Sequence, residues 1–185
     1  MLSGRVLAAL QLLCKARILT VGPGLKSGIK LRLDNPAQLG AELLCGAVAA
    51  LAECPGPLVV ISADTAISLM AVNAKQELVG GVILPGPQLS MNALVQKIDP
   101  AARASDSVLG KSTSACLQNG FVLGTASLLD GLADRFCAEL GAQTAFYATG
   151  DLPRSIREAC RTPIHYRETL ITDGLHRIWL RNRKG

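Results

Sequence analysis

Residues 55–87 read PGPLVVISADTAISLMAVNAKQELVGGVILPGP, and this stretch decides the architecture. Two Pro-Gly-Pro clusters enclose three runs rich in β-branched and aliphatic residues: Leu58 to Ser62, Ala66 to Val72 and Leu78 to Leu84. Ala63-Asp64-Thr65 and Asn73 to Glu77 are short polar connections, so the three runs are expected to form an antiparallel meander. Pro55-Gly56-Pro57 lets neither a helix nor a strand run through it, because proline fixes φ and lacks an N–H donor. It is the candidate domain junction.

Working toward the N-terminus, Asn35-Pro36-Ala37-Gln38 combines an N-cap residue, a proline at the first helical position and a glutamine able to reach back to the cap. The pattern predicts a helix from Pro36 to Glu53, whose Gly40, Ala41, Gly46, Ala47 and Ala50 leave one face almost without bulk and invite another backbone close in. Gly28 to Leu33 and Arg17 to Val21 read as short strands, separated by a forced turn at Gly22-Pro23-Gly24. Leu7 to Leu13 reads as a helix turned toward a core. Toward the C-terminus, Leu89 to Gln96 has helical spacing, and Lys97 to Lys111 is polar and reads as a surface loop or lid. Between Ser112 and Leu140 apolar residues recur at helical intervals, interrupted at Asn119-Gly120 and by Gly124 and Gly131. Gly120 and Gly124 form a G-x-x-x-G pattern, read here as close packing. A strand at Ala145 to Thr149, a helix at Pro153 to Cys160 and an amphipathic helix at Leu170 to Arg181 complete the chain. Strands followed by helices in this order point to an α/β layer fold.

Composition narrows the function classes. The chain has 185 residues, 49% of them hydrophobic and 18% charged, enough for a sizeable core and unlike a disordered or collagenous sequence. The net charge of +5 is mostly C-terminal, since residues 151–185 hold eight Lys/Arg against four acids. Aromatic residues for base stacking are scarce and no reader motif occurs, so nucleic acid is not expected as a partner and Arg177, Arg181 and Arg183 read as a solvated helix face. Six cysteines show no C-x-x-C spacing and sit with His165 and His176 in no ligand pattern. Cys45, Cys116 and Cys137 lie in apolar helical stretches, where a reduced thiol packs. No stretch approaches the roughly 20 apolar residues of a membrane span, and the expected location is the cytoplasm.

Neither a P-loop nor a Rossmann fingerprint is present. What remains is a series of Gly/Thr-rich turns: Ala63-Asp64-Thr65-Ala66, Gly80-Gly81, Gly110-Lys111-Ser112-Thr113 and Ala148-Thr149-Gly150. Backbone N–H groups in such turns can cradle phosphate oxygens. Taken in order, the turns and their neighbours resemble the type III pantothenate kinases, members of the acetate/sugar kinase and actin superfamily. Val21 to Gly28 is similar to V-G-P-G-I-K-T-G, Asp34 to Glu42 to E-N-P-x-x-V-G-A-D, and Val79 to Gly86 to G-G-V-I-x-P-G. Gly110 to Thr113 matches G-K-x-T, Ala148-Thr149-Gly150 matches the start of A-T-G-G, and Leu170 to Leu175 is similar to L-T-L-x-G-L.

The resemblance implies an α/β, ribonuclease H-like (actin-like ATPase) domain with a mixed sheet and flanking helices, residues 56–185, preceded by the remnant of a second such domain, residues 1–55. It implies ATP-dependent phosphorylation of pantothenate toward coenzyme A, with Mg2+ and a monovalent cation (K+ or NH4+). The site residues it carries over are Glu42 as catalytic carboxylate; Gly40, Ala41, Glu42, Leu43 and Thr113 for substrate; Thr65 for ATP; and Ser62 at the monovalent-cation position. Several positions depart from the family. Glu42 stands for Asp, Leu43 for Arg, Leu33 for Tyr and Ser62 for Asp, while Asp64 and Asp151 stand for glycines that would face the nucleotide. The family's opening strand with D-x-G-N-T has no counterpart in this sequence. The expected partners are therefore a second copy, or a chain carrying that strand. The alternative is a catalytically inactive relative acting as a partner or regulatory subunit.

Overall fold

The computed structural model describes residues 2–15, 18–22, 24–94 and 107–183. Its centre is the meander: β2 (Leu58–Ala63), β3 (Ala66–Val72) and β4 (Glu77–Pro85) pair antiparallel. β5 (Ala145–Gly150) adds to β2 in parallel, β6 (Ile164–Tyr166) adds to β5 in parallel, and β1 (Lys30–Leu31) lies parallel to the start of β4. The order is β1-β4-β3-β2-β5-β6. Counted from β2, three antiparallel strands and two parallel ones give the mixed sheet of a ribonuclease H-like domain, as expected from the sequence.

Strand geometry explains why β2 is buried along nearly all its length, Ser62 alone being partly exposed. Leu58 and Val60 point to one face and Val59 and Ile61 to the other, and helices cover both. On one face α2 (Ala41–Glu53) and α7 (Leu170–Asn182) pack with Leu43, Ala47, Ala50 and Leu170 against Leu58, Val60, Met70 and Val72. The bare face of α2 does admit another backbone: a Cβ on Gly174 of α7 would overlap the Cys45 carbonyl. On the other face α4 (Thr113–Asn119), a π-helical turn (Gly120–Gly124) and α5 (Thr125–Leu140) form one continuous helical run. From it Phe121, Val122, Ala126, Leu129 and Ala133 meet Val59, Ile61, Ile67 and Leu69. α3 (Pro87–Asn92) and α6 (Arg154–Ala159) flank the sheet ends.

Several expectations are corrected. The described residues 18–22 form no strand, and Val21 instead packs on the α2–α7 layer. The strand placed at Gly28 to Leu33 shrinks to two residues, because only Glu77 and Leu78 are there to pair with it. The helix predicted from Pro36 begins as a separate 3-10 turn, Pro36–Gln38, capped by Asn35 Oδ1 accepting from the Ala37 amide, and the α-helix starts afresh after Gly40. Asn119-Gly120 does not interrupt its helix, which absorbs the glycines in the π turn. Gly120 and Gly124 have open space where a Cβ would go, so the G-x-x-x-G pattern is not a close-packing device. Cys116 is exposed rather than packed. The first helix, α1 (Leu2–Leu13), is longer than expected and does not turn toward the core: Leu12 and Leu13 are 89% and 85% exposed, and Val6 and Leu10 are exposed too. Pro23, the end of the helix expected at Leu89 to Gln96, and residues 97–106 of the expected loop lie outside the described residues. Among the described residues no helix is long and apolar enough to cross a membrane.

Candidate active site

β2 and β5 run parallel and end together, with Ser62 opposite Thr149 and Ala63 opposite Gly150. The chain leaves β2 through the Asp64-Thr65 hairpin and leaves β5 through Asp151. These exits touch backbone to backbone, and glycine is what permits it. Gly150 has φ +82° and a Cβ there would overlap the Ala63 carbonyl, while a Cβ on Gly86 would overlap that of Asp64. The Asp151 amide donates to Ala63 O at 2.6 Å and the Gly86 amide to Thr65 O at 2.9 Å.

A cavity of about 920 Å³ opens at this junction. That is the size of a site for a nucleotide-like ligand. Its walls are apolar at Phe121, Leu152, Pro87 and Leu89, with Gln88, Asn92 and Ser155 as polar groups. Tyr166 closes one side, its hydroxyl donating to Gly150 O at 2.9 Å and the Arg157 guanidinium 3.9 Å above its ring. At the rim Arg154 pairs with Glu158 at 2.6 Å. Asp64 and Asp151 are exposed at the mouth, and neither has an ion-pair partner among the described residues.

Of the residues singled out from the sequence, Thr65 lines this cavity. Glu42 does not. Helix α2 crosses the sheet with Gly46 over Val60, and its last residue, Glu53, pairs with Arg167 at 2.7 Å. Glu42 and Ala41 are exposed in the first turn, Gly40 is the N-cap, and the Glu42 carboxylate curls back over Gly40. Leu43 is 6% exposed and belongs to the core beneath α2. Thr113 opens α4 on the other face of the sheet, away from the cavity lining. Ser112 caps that helix by accepting from the Ala115 amide at 3.2 Å, leaving the exposed Thr113 hydroxyl with no partner among the described residues. The sequence reading missed Tyr166, Arg154 and Phe121 as wall residues. Tyr166 lies on a three-residue strand and no local signal marks it.

Among the described residues no three carboxylate, imidazole or thiol side chains gather as a metal cluster would require. Ser62, partly exposed between Ser68 and Thr149, offers a neutral hydroxyl where a monovalent cation would want a carboxylate, so no chemistry is assigned to such an ion. Asp64 and Asp151 are hard oxygen donors suited to a divalent cation arriving on phosphates.

The family model for type III pantothenate kinase matches residues 2–135. A type III pantothenate kinase of an Exiguobacterium species is 35% identical over 172 residues, covering 91% of this chain and 67% of that protein. Type III pantothenate kinase 2 of Symbiobacterium thermophilum is 37% identical, covering 89% of this chain and 65% of its own length. The chain thus spans about two thirds of the length of these relatives. Among solved structures, a Campylobacter jejuni protein described as a Baf family transcriptional activator aligns with a TM-score of 0.55 at 22% identity, covering 80% of this chain and 67% of that one, a likeness of fold.

Proposed function

We propose, since the chain belongs to the type III pantothenate kinase family, that it holds ATP in the cavity at the ends of β2 and β5 and presents the terminal phosphoryl group to pantothenate, an early step of coenzyme A synthesis. The observation that carries this reading is the meeting of the Thr65 hairpin and the Gly150-Asp151 turn on one cavity where β2 and β5 end together. Phosphoryl transfer needs positioning and charge stabilisation rather than covalent chemistry by the protein. The Thr65 hydroxyl donates to a phosphate oxygen, the apolar walls hold the nucleoside, and the exposed Glu42 carboxylate accepts the proton of the attacking hydroxyl. Asp64 and Asp151 would hold a divalent cation arriving on the phosphates, and that ion would offset charge on the transferred group.

The working unit is a dimer or a complex with a partner chain. The exposed Val6, Leu10, Leu12 and Leu13 of α1 support a covering partner. Six free thiols support a reducing, cytoplasmic setting. A second reading, an inactive regulatory or accessory subunit, is favoured by the burial of Leu43 where the family places an arginine.

The test is ADP formation from Mg-ATP and pantothenate, by the chain alone and mixed with a protein carrying the D-x-G-N-T strand. Turnover in the mixture, reduced about a hundredfold or more by Glu42→Gln, supports the kinase. ATP binding without turnover in either sample supports the regulatory subunit.

A further inference from the structure

The cavity is acidic in a basic protein. Among the described residues its lining carries Asp64, Asp151 and Glu158 against Arg154, which Glu158 engages at 2.6 Å, and the Arg157 guanidinium lies against the Tyr166 ring and the Leu152 carbonyl, although the chain as a whole is +5. The two carboxylates without an ion-pair partner project from neighbouring backbone positions, since the Asp151 amide donates to the carbonyl of Ala63, the residue before Asp64. Both are exposed, at the turns whose backbone would face phosphates, while the rest of the described lining, apart from the Arg154–Glu158 pair, is apolar or neutral. Phosphate sites ordinarily present N–H groups and cations. This one offers a neutral compartment for a heteroaromatic body and two like charges where an anionic tail would lie.

We infer that the cavity sorts ligands by charge, accepting a nucleoside freely but its phosphates only when a divalent cation neutralises them, with Asp64 and Asp151 as the discriminating residues. The inference rests on the reading of the cavity as a nucleotide site. Two consequences separate it from an ordinary nucleotide pocket. Each exposed carboxylate a few ångströms from a phosphate weakens metal-free binding about fivefold in a solvent-like dielectric, so the pair costs more than tenfold. Because the interaction is repulsive, salt screens it away and strengthens metal-free binding, whereas attraction between a phosphate and a basic site is weakened by salt.

Isothermal titration of the full chain with adenosine, with ATP in EDTA and with ATP in excess Mg2+ tests this. Adenosine should bind equally with and without Mg2+. Metal-free ATP should bind at least tenfold more weakly than adenosine, Mg2+ should recover that loss, and raising NaCl from 50 to 500 mM should tighten metal-free ATP. In Asp64→Asn/Asp151→Asn, and by a smaller factor in each single variant, the gap between adenosine and metal-free ATP should close. The inference is overturned if the unaltered chain binds ATP equally with and without Mg2+, if salt weakens the metal-free complex, or if the folded double variant keeps the gap. Failure of adenosine and both forms of ATP to bind removes the nucleotide reading of the cavity itself, and the inference with it. Adenosine binding without discrimination removes only the inference.

Discussion

Asp130 is 3% exposed on α5, and its carboxylate is fully employed. It accepts from the backbone amides of Arg161 at 3.0 Å and Thr162 at 2.9 Å and from Arg161 Nε at 3.3 Å. Burial pushes its pKa up, but these donors outweigh burial and hold the carboxyl below its ordinary value. The same negative charge, after burial itself, helps push the Cys160 thiol up to about 11, so it stays protonated near neutrality. The amides that Asp130 holds lie between α6 and β6, the elements that bring Arg154 and Tyr166 to the cavity. Asp130→Ala would orphan both amides, and a loss of about 3 kcal/mol in unfolding free energy is expected in urea titrations. Because the folded pKa is depressed, this stabilisation is whole above the unfolded carboxylate value near 4 and is lost as the pH falls through the folded value. Acid titration of the unaltered chain and of Asp130→Ala should therefore converge at low pH.

At the scale of elements, the approach of α7 to α2 depends on Gly174. A Cβ there would overlap the Cys45 carbonyl, and backbone cannot give way as the tip of a side chain can. Gly174→Ala must move α7 outward and open the layer formed by Leu43, Ala47, Val60 and Leu170. A destabilisation of about 2 to 4 kcal/mol is expected, checked by thermal and urea unfolding. Since α2 carries Glu42, catalytic turnover of the assembled unit should fall as well, even though Gly174 is not part of the cavity lining.

For the whole molecule, the outstanding feature is α1, whose Val6, Leu10, Leu12 and Leu13 are exposed. A contiguous apolar helix face costs free energy in water of about 25 cal/mol per Å2 and is relieved by association. Leu12→Ser/Leu13→Ser should shift the chain toward its monomer in sedimentation velocity while leaving the unfolding midpoint nearly unchanged, because neither residue contributes to the core. An unchanged mass distribution would mean that association does not run through this helix.

The meander was legible from residues 58–85 because its information is local. Runs of β-branched and aliphatic residues, Pro-Gly-Pro boundaries and short polar turns act within a few residues of one another, and so does the Asn35 cap. The ordered motif turns likewise identified the family without any coordinates. Tertiary structure alone decided what depends on distant partners. Ile164–Tyr166 is a strand only because β5 offers an edge, Gly120 and Gly124 face open space only because nothing packs there, and α1 stays exposed although its sequence reads as a core helix. The cavity is of the same kind: Asp64, Phe121, Asp151 and Tyr166, the first and last 102 residues apart in the chain, become neighbours only when β2 and β5 end together. Sequence periodicity reports which side of an element is apolar; what that side meets is set by the rest of the fold.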